Sequence, residues 1–263
     1  MMQLKRKCIV VLMCGLLLSC GKRDRNDKGS ESICPSPPKV MVCDLKALAT
    51  EYNVNSKQLG YEPQALIYRY ATRVNSVAIE RETADYRRAN PQCAKAQTVP
   101  PMRVEKGPCP SIDGFSDEQL SALKTAEIIQ KNVPNWQNVV PNCPCDQKDV
   151  PDFWSGEPAK QDYHPGATRC YRSLPVSQKT LKAAGLAPDK ISPGQQCCYD
   201  KDKKLITSGA AAGTPDLYVP LDAESNAAHA NVDVALFHKL GFEIYNVYWP
   251  PNNGNRCPLN PIP

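Results

Sequence analysis

Cys197 and Cys198 are adjacent, and that pair restricts the chain more than any other feature. Neighbouring Cα atoms lie about 3.8 Å apart, whereas a disulfide spans roughly 4.4–6.8 Å between Cα atoms. The two cysteines therefore should not bond to each other. Each must reach a different, distant cysteine, which makes Gln195-Gln196-Cys197-Cys198-Tyr199-Asp200 a point where two loops are stapled. Stapling requires an oxidising compartment, so the next question is where the chain goes.

The N-terminus reads as an export signal. Lys5-Arg6-Lys7 is a basic n-region, and Ile9 to Leu18 is an uncharged apolar run, too short to cross a bilayer as a stable helix. It closes on Leu17-Leu18-Ser19-Cys20-Gly21, which resembles the bacterial lipobox. That resemblance implies cleavage before Cys20, a diacyl group on its sulfur, and a palmitate-bearing lipoprotein. Gly21, where an aspartate would retain the protein at the inner membrane, points to the outer membrane, on its periplasmic or surface face. The formal net charge is +5, and the signal supplies three of those positives, so the mature chain is close to neutral. Its basic residues alternate with acids, which leaves no nucleic-acid footprint.

Of the 13 cysteines, Cys8 and Cys14 leave with the signal and Cys20 carries lipid. The remaining set is even: Cys34, Cys43, Cys93, Cys109, Cys143, Cys145, Cys170, Cys197, Cys198 and Cys257. In an exported chain such a set reads as structural disulfides, each contributing about 2–4 kcal/mol. Aromatic residues are sparse and prolines number 25, so the core is modest and the bridges compensate. Connectivity does not follow from the sequence, although local Cys34–Cys43 or Cys93–Cys109 pairings are plausible.

The pattern predicts an α+β chain: a signal peptide (1–19), a lipidated flexible tether (20–33), a helical N-terminal unit (34–139), and a small disulfide-rich unit (140–263) with short helices and a β-hairpin. In the helical unit, Asp44 caps a short helix running to about Tyr52. Pro63 opens a longer one, with Leu66, Tyr70, Val74, Val77, Arg81 and Ala84 at three- to four-residue spacing, ending before Pro91. Ser116-Asp117-Glu118-Gln119 is a capping box ahead of the stripe Leu120, Leu123, Ala126 and Ile129. In the second unit, Gln178–Ala184 reads as a helix ended by Gly185, residues around Asp200–Lys204 as a hairpin turn, and Gly213–Asp216 as a turn. Val232–Leu240 reads as a helix stopped by Gly241, and Phe242–Trp249 as a β-rich segment.

Four stretches of the second unit occur in a telling order: Cys143-Pro144-Cys145, Cys170-Tyr171-Arg172-Ser173, Gly194 through Asp200, and Gly213-Thr214-Pro215-Asp216. Together they resemble the AMOP domain, an extracellular adhesion-associated domain. The resemblance covers the last 125 residues or so and implies an address and an interaction role, with no catalytic residues to carry over. Members from animals have further cysteines where this chain has Tyr245–Trp249, so their bridge pattern is not transferred.

Other chemistries fit less well. Cys143-x-Cys145 lacks the two- to four-residue ligand spacing of structural zinc sites. No C-x-x-C, G-x-S-x-G, H-E-x-x-H or glycine-rich phosphate loop is present. His229 and His238 read as surface or capping residues, and Asp200 and Asp202 as turn residues. Tyr245, Tyr248 and Trp249 are candidates for an aromatic binding face, set against the plainer expectation that they fill a small core. The resulting expectation is a non-enzymatic, membrane-anchored interaction or adhesion module, without cofactor or metal, whose ligand is a protein or glycan. The alternative is a periplasmic enzyme or metal-handling lipoprotein.

Overall fold

The computed structural model describes residues 34–95, 100–187, 189–251 and 257–258. The signal, Cys20 and the tether lie outside the described residues. Cys34 to Pro263 form one compact unit.

The N-terminal half follows its caps. Strand β1 (Lys39–Cys43) leads to α1 (Leu45–Glu51), whose first turn is closed by the Asp44 carboxylate accepting from the amides of Lys46 and Ala47. Helix α2 (Pro63–Ala89) begins with Pro63 in its first turn and stops before Pro91, where the short α3 (Pro91–Lys95) begins. Strand β2 (Arg103–Gly107), which hydropathy did not reveal, pairs in parallel with β1, Cys43 opposite Gly107. Helix α4 (Asp117–Asn132) carries the full Ser116/Gln119 capping box.

The buried face of α2 differs from the expected stripe. Its buried positions are Ala65, Leu66, Ile67, Ala71, Asn75 and Tyr86. The reason is a second partner: α2 packs against β1 as well as against α4 and the last helix. Asn75 marks the β1 side. Its side chain accepts from the Cys43 amide at 2.8 Å and donates to the Cys43 carbonyl at 2.9 Å, acting like an added strand residue. The local bridge pairings are also corrected. Cys34 joins Cys93 and Cys43 joins Cys109, tying β1 and the segment before it to distant parts of the chain.

The C-terminal half holds an antiparallel sheet in the order β3 (Ser155–Pro158), β4 (Arg169–Arg172), β5 (Gly194–Tyr199), β6 (Pro215–Asp216). All six residues of β5 are buried. Successive side chains of a strand point to opposite faces, and the adjacent cysteines use this. Cys197 bonds Cys143 within one small cluster containing Trp154, Tyr199 and Leu205. Cys198 bonds Cys170 within another, containing Ala167, Ile206 and Ala212. A third bridge, Cys145–Cys257, holds the C-terminal segment. The expected hairpin turn is present, with the Ile206 amide bonding back to the Cys198 carbonyl. The stretch Gly213–Asp216 is not only a turn: Pro215 and Asp216 form the edge strand β6, opposite Gln195 and Gly194. A proline is tolerated there because an edge leaves one side of the ladder free. Gly213 is required by close approach, since a Cβ would run into the Gln196 carbonyl.

Helix α5 (Gln178–Ala183) ends at Gly185, which has φ +73°. The C-terminal expectation is overturned. Helix α6 (Ala223–His229) runs through a π-helical turn (Ala230–Val234) into α7 (Ala235–Tyr248), so Phe242–Tyr248 is helical rather than β, with Trp249 as its C-cap. Gly241, at φ 72° and ψ 160°, is a non-helical kink that closes the first helical stretch, as expected, and a second begins directly after it. The apolar residues of this segment satisfy a three- to four-residue period as well as a β pattern. Packing decides: Leu236, Leu240, Tyr245 and Tyr248 face one core, and Tyr245 stacks on Trp249 one turn later at 5.0 Å.

That core removes the division at residue 140. Ile67 of α2 and Leu123 and Ala126 of α4 share one cluster with Trp136, Leu181, Leu217, Leu240, Tyr248 and Trp249. The helical half and the disulfide-rich half are two sides of one interior.

Candidate functional site

The sheet and the last helices meet around a cavity of about 390 Å³. Its floor is an ionic cluster. Arg172, at the end of β4, donates from Nε to Asp216 Oδ2 at 3.2 Å and from Nη1 to Glu157 Oε1 at 2.6 Å. Arg172 lies opposite Gln196 and Asp216 opposite Gly194, so the guanidinium reaches across β5 to the edge strand. The π-helical turn presents Asp233 to the same edge. Its two oxygens accept from the Leu217 amide at 2.9 Å and the Tyr218 amide at 3.1 Å, satisfying backbone donors just past β6. His229, four residues earlier, places Nδ1 at 3.2 Å from Asp233 and 3.9 Å from Asp216. Asp216 and Asp233 are only 4% and 2% exposed.

Burial of this kind shifts titration. Burial pushes the Asp216 carboxyl up to about 6, and the Asp233 charge adds to it, while Arg172 and His229 oppose. For His229, burial alone pulls downward. The hydrogen bond to Asp233 and the charges of Asp216 and Asp233 outweigh it, so its pKa is raised. His164, also on the cavity wall, is lowered to about 4 by burial and then by the nearby Arg172 charge. Its Nδ1 is buried with no hydrogen-bond partner in the protein.

Asp216 and His164 should therefore offset each other in stability. Between about 3.8 and 6 the folded chain holds a proton on Asp216 that the unfolded chain has released, so stability falls as pH rises through that window. Between about 4 and 6.5 the unfolded chain holds a proton on His164 that the folded chain lacks, so stability rises. Relative to wild type, His164→Gln is expected to lose stability as pH climbs across this range, and Asp216→Asn to gain it. Thermal melts at a series of pH values check this; two profiles parallel to wild type would refute it.

Asp216, His229 and Asp233 could in principle hold a metal, since a donor atom from each lies within 4.8 Å of the others. The donor set does not fit. Asp216 is already engaged by Arg172, and both oxygens of Asp233 accept backbone amides. The Arg172 guanidinium already supplies positive charge beside these carboxylates, so a divalent ion would have to displace it or sit against it in a buried site. The second grouping, His164 with Cys170 and Cys198, offers no thiolate because those cysteines are bonded to each other.

The residues singled out from sequence fare unevenly. All ten cysteines are paired in five bridges. The aromatic binding face is corrected: Tyr245, Tyr248 and Trp249 are buried in the main core. Tyr248 donates to Glu127 at 2.9 Å, and only Tyr245 also reaches the cavity wall. His229 is not a surface residue but a member of the ionic cluster. Sequence reasoning missed Arg172, Asp216 and Asp233 as a group. A signal existed: Arg172 and Asp216 sit inside Cys-Tyr-Arg-Ser and Gly-Thr-Pro-Asp, two of the stretches that carry the family resemblance.

Those stretches lie within residues 123–223, which match the family model of the AMOP domain. Human Sushi domain-containing protein 2 is 28% identical over 120 residues. The aligned part is 40% of this chain and 13% of that protein, so the chain corresponds to a small part of its relative. No solved structure matches. Among the described residues no helix is long and apolar enough to cross a membrane.

Proposed function

We propose that this chain is an exported bacterial lipoprotein, held at the outer membrane through Cys20, that presents a non-enzymatic adhesion-type module whose ligand occupies the Arg172–Asp216 cavity. The observation that carries the reading is the AMOP match over residues 123–223, which includes both the disulfide node and the two residues that span the cavity floor. The site's chemistry agrees with binding. Its buried charged groups are engaged with one another and with backbone amides, and a protein or glycan is the class of ligand proposed for it.

Cells fed a radioactive fatty acid are expected to label the wild-type chain, and Cys20→Ala to lose the label. Protease applied to intact cells is expected to degrade the exposed module. Label retained by Cys20→Ala would remove the anchor. Complete protection, together with bound metal by elemental analysis, would favour a metal-handling protein inside the periplasm.

A further inference from the structure

We propose that the Arg172–Asp216 cavity recognises a neutral glycan, an inference that rests on the interaction-module reading and names its ligand class. Charge comes first. Three acidic residues (Glu157, Asp216 and Asp233) line the cavity with three basic ones (Arg172, Lys160 and His229). Arg172 is taken up by Glu157 and Asp216, and His229 by Asp233. An anion would meet three carboxylates and a guanidinium already engaged by two of them, with the exposed Lys160 as the remaining counter-charge, and a cation would have to displace Arg172. A ligand without net charge meets neither cost.

What the network leaves over is hydrogen-bonding capacity of both signs. A guanidinium has five N–H donors, and only Nε and Nη1 of Arg172 are used. Oδ1 of Asp216 is 3.9 Å from His229, beyond hydrogen-bond length. Asn226 and Asn246 are among the lining residues. A sugar hydroxyl both donates and accepts, so a ring bearing several of them suits fixed donors and acceptors set side by side. Four aromatic residues, Tyr163, Phe237, Phe242 and Tyr245, also line the wall, among smaller side chains such as Ala159, Ala212 and Val234. Ring faces carry negative charge density, which attracts the polarised C–H face of a pyranose. Phe242 is 39% exposed at the mouth. The volume, about 390 Å³, is that of a small-ligand site, typically about 300–1,000 Å³.

The test uses the full mature chain. Saturation-transfer NMR and titration calorimetry are run with lactose, N-acetyllactosamine, cellobiose and chitobiose, with sialyllactose and a heparin disaccharide as charged comparators. Saturable binding of at least one neutral sugar is expected. Phe242→Ala, at the mouth, is expected to weaken it by about tenfold with the melting temperature unchanged, and Asp216→Asn to weaken it further. Three results would overturn the proposal: no neutral sugar binding at millimolar concentration, binding only of the charged comparators, or neutral-sugar binding that Phe242→Ala leaves intact. Beads coated with the chain separate this from the wider reading. Beads that hold to an extracellular-matrix protein film while no sugar binds would remove the glycan and leave the interaction module standing.

Discussion

A chain with both Cys143 and Cys197 replaced by serine is expected to melt roughly 8–16 °C below wild type. The two cysteines are 54 residues apart, and releasing a loop of that length from the unfolded chain costs about 4 kcal/mol of stability in the chain-entropy account. For a domain of this size each kcal/mol moves the midpoint by about 2–4 °C. Replacing both partners avoids a free thiol that could reshuffle the remaining bridges. The companion variant Cys170→Ser/Cys198→Ser opens a shorter loop, 28 residues, and is expected to lose about 3.6 kcal/mol. Both bridges anchor the fully buried central strand, so neither loss can be absorbed at an edge. Thermal and guanidinium unfolding measure it. If both variants stayed within a few degrees of wild type, the Cys197–Cys198 step would not be what fixes this half of the fold.

The adjacent cysteines show what the sequence could tell and where it stopped. Their need for separate partners follows from covalent geometry alone, and the structure meets it by the alternation of one strand. The caps at Asp44 and Ser116 and the stop at Gly185 were equally readable, because each depends on residues within a few positions. Contacts made across the chain were not. Strand β2 has no apolar pattern; it exists because β1 lies beside it. The segment Phe242–Trp249 satisfied two periods at once, and only the core formed with α2 and α4 chose the helix. The cavity is the extreme case. Arg172, Asp216 and His229 come from two strands and a helix, and nothing in their spacing announces that Arg172 reaches across β5. His229 and Asp233 are four apart on a helical path, but a histidine and an aspartate at that spacing are common on solvated helices. What makes this pair matter is the backbone of Leu217 and Tyr218, which lies outside the helix and whose amides Asp233 satisfies from within it.

Replacing Glu127 with leucine is expected to cost about 3 kcal/mol and to lower the single unfolding transition as a whole. Glu127 is a buried carboxylate on α4. It accepts from Arg73 Nε on α2 at 2.9 Å and from the Tyr248 hydroxyl on α7 at 2.9 Å, with Arg69 at 3.9 Å. The guanidinium of Arg73 also lies 5.0 Å from the centre of the Tyr248 ring. Removing the carboxylate leaves the Tyr248 hydroxyl buried without this acceptor, a cost of about 1–3 kcal/mol. It also leaves two arginines without their counter-charge. Those arginines are 26% and 34% exposed, so water screens them and the total falls at the lower end of the roughly 3–5 kcal/mol seen when a buried pair is broken. Glu127→Gln keeps an acceptor for the hydroxyl and should cost less, about 1–2 kcal/mol. Glu127→Leu combined with Tyr248→Phe should cost less than the sum of the two, because both remove the same hydrogen bond. The shape of the transition carries as much information as its midpoint. Glu127 ties α2 and α4 to α7, the two sides of the position at which the sequence suggested a boundary. If the halves share one core, as Trp136, Trp249 and Ile67 indicate by lying in a single cluster, weakening this tie must shift the whole melt together. A melt that splits in two, with the disulfide-rich half unmoved, would restore the boundary near residue 140 and make the contact at Glu127 a docking surface between independent domains.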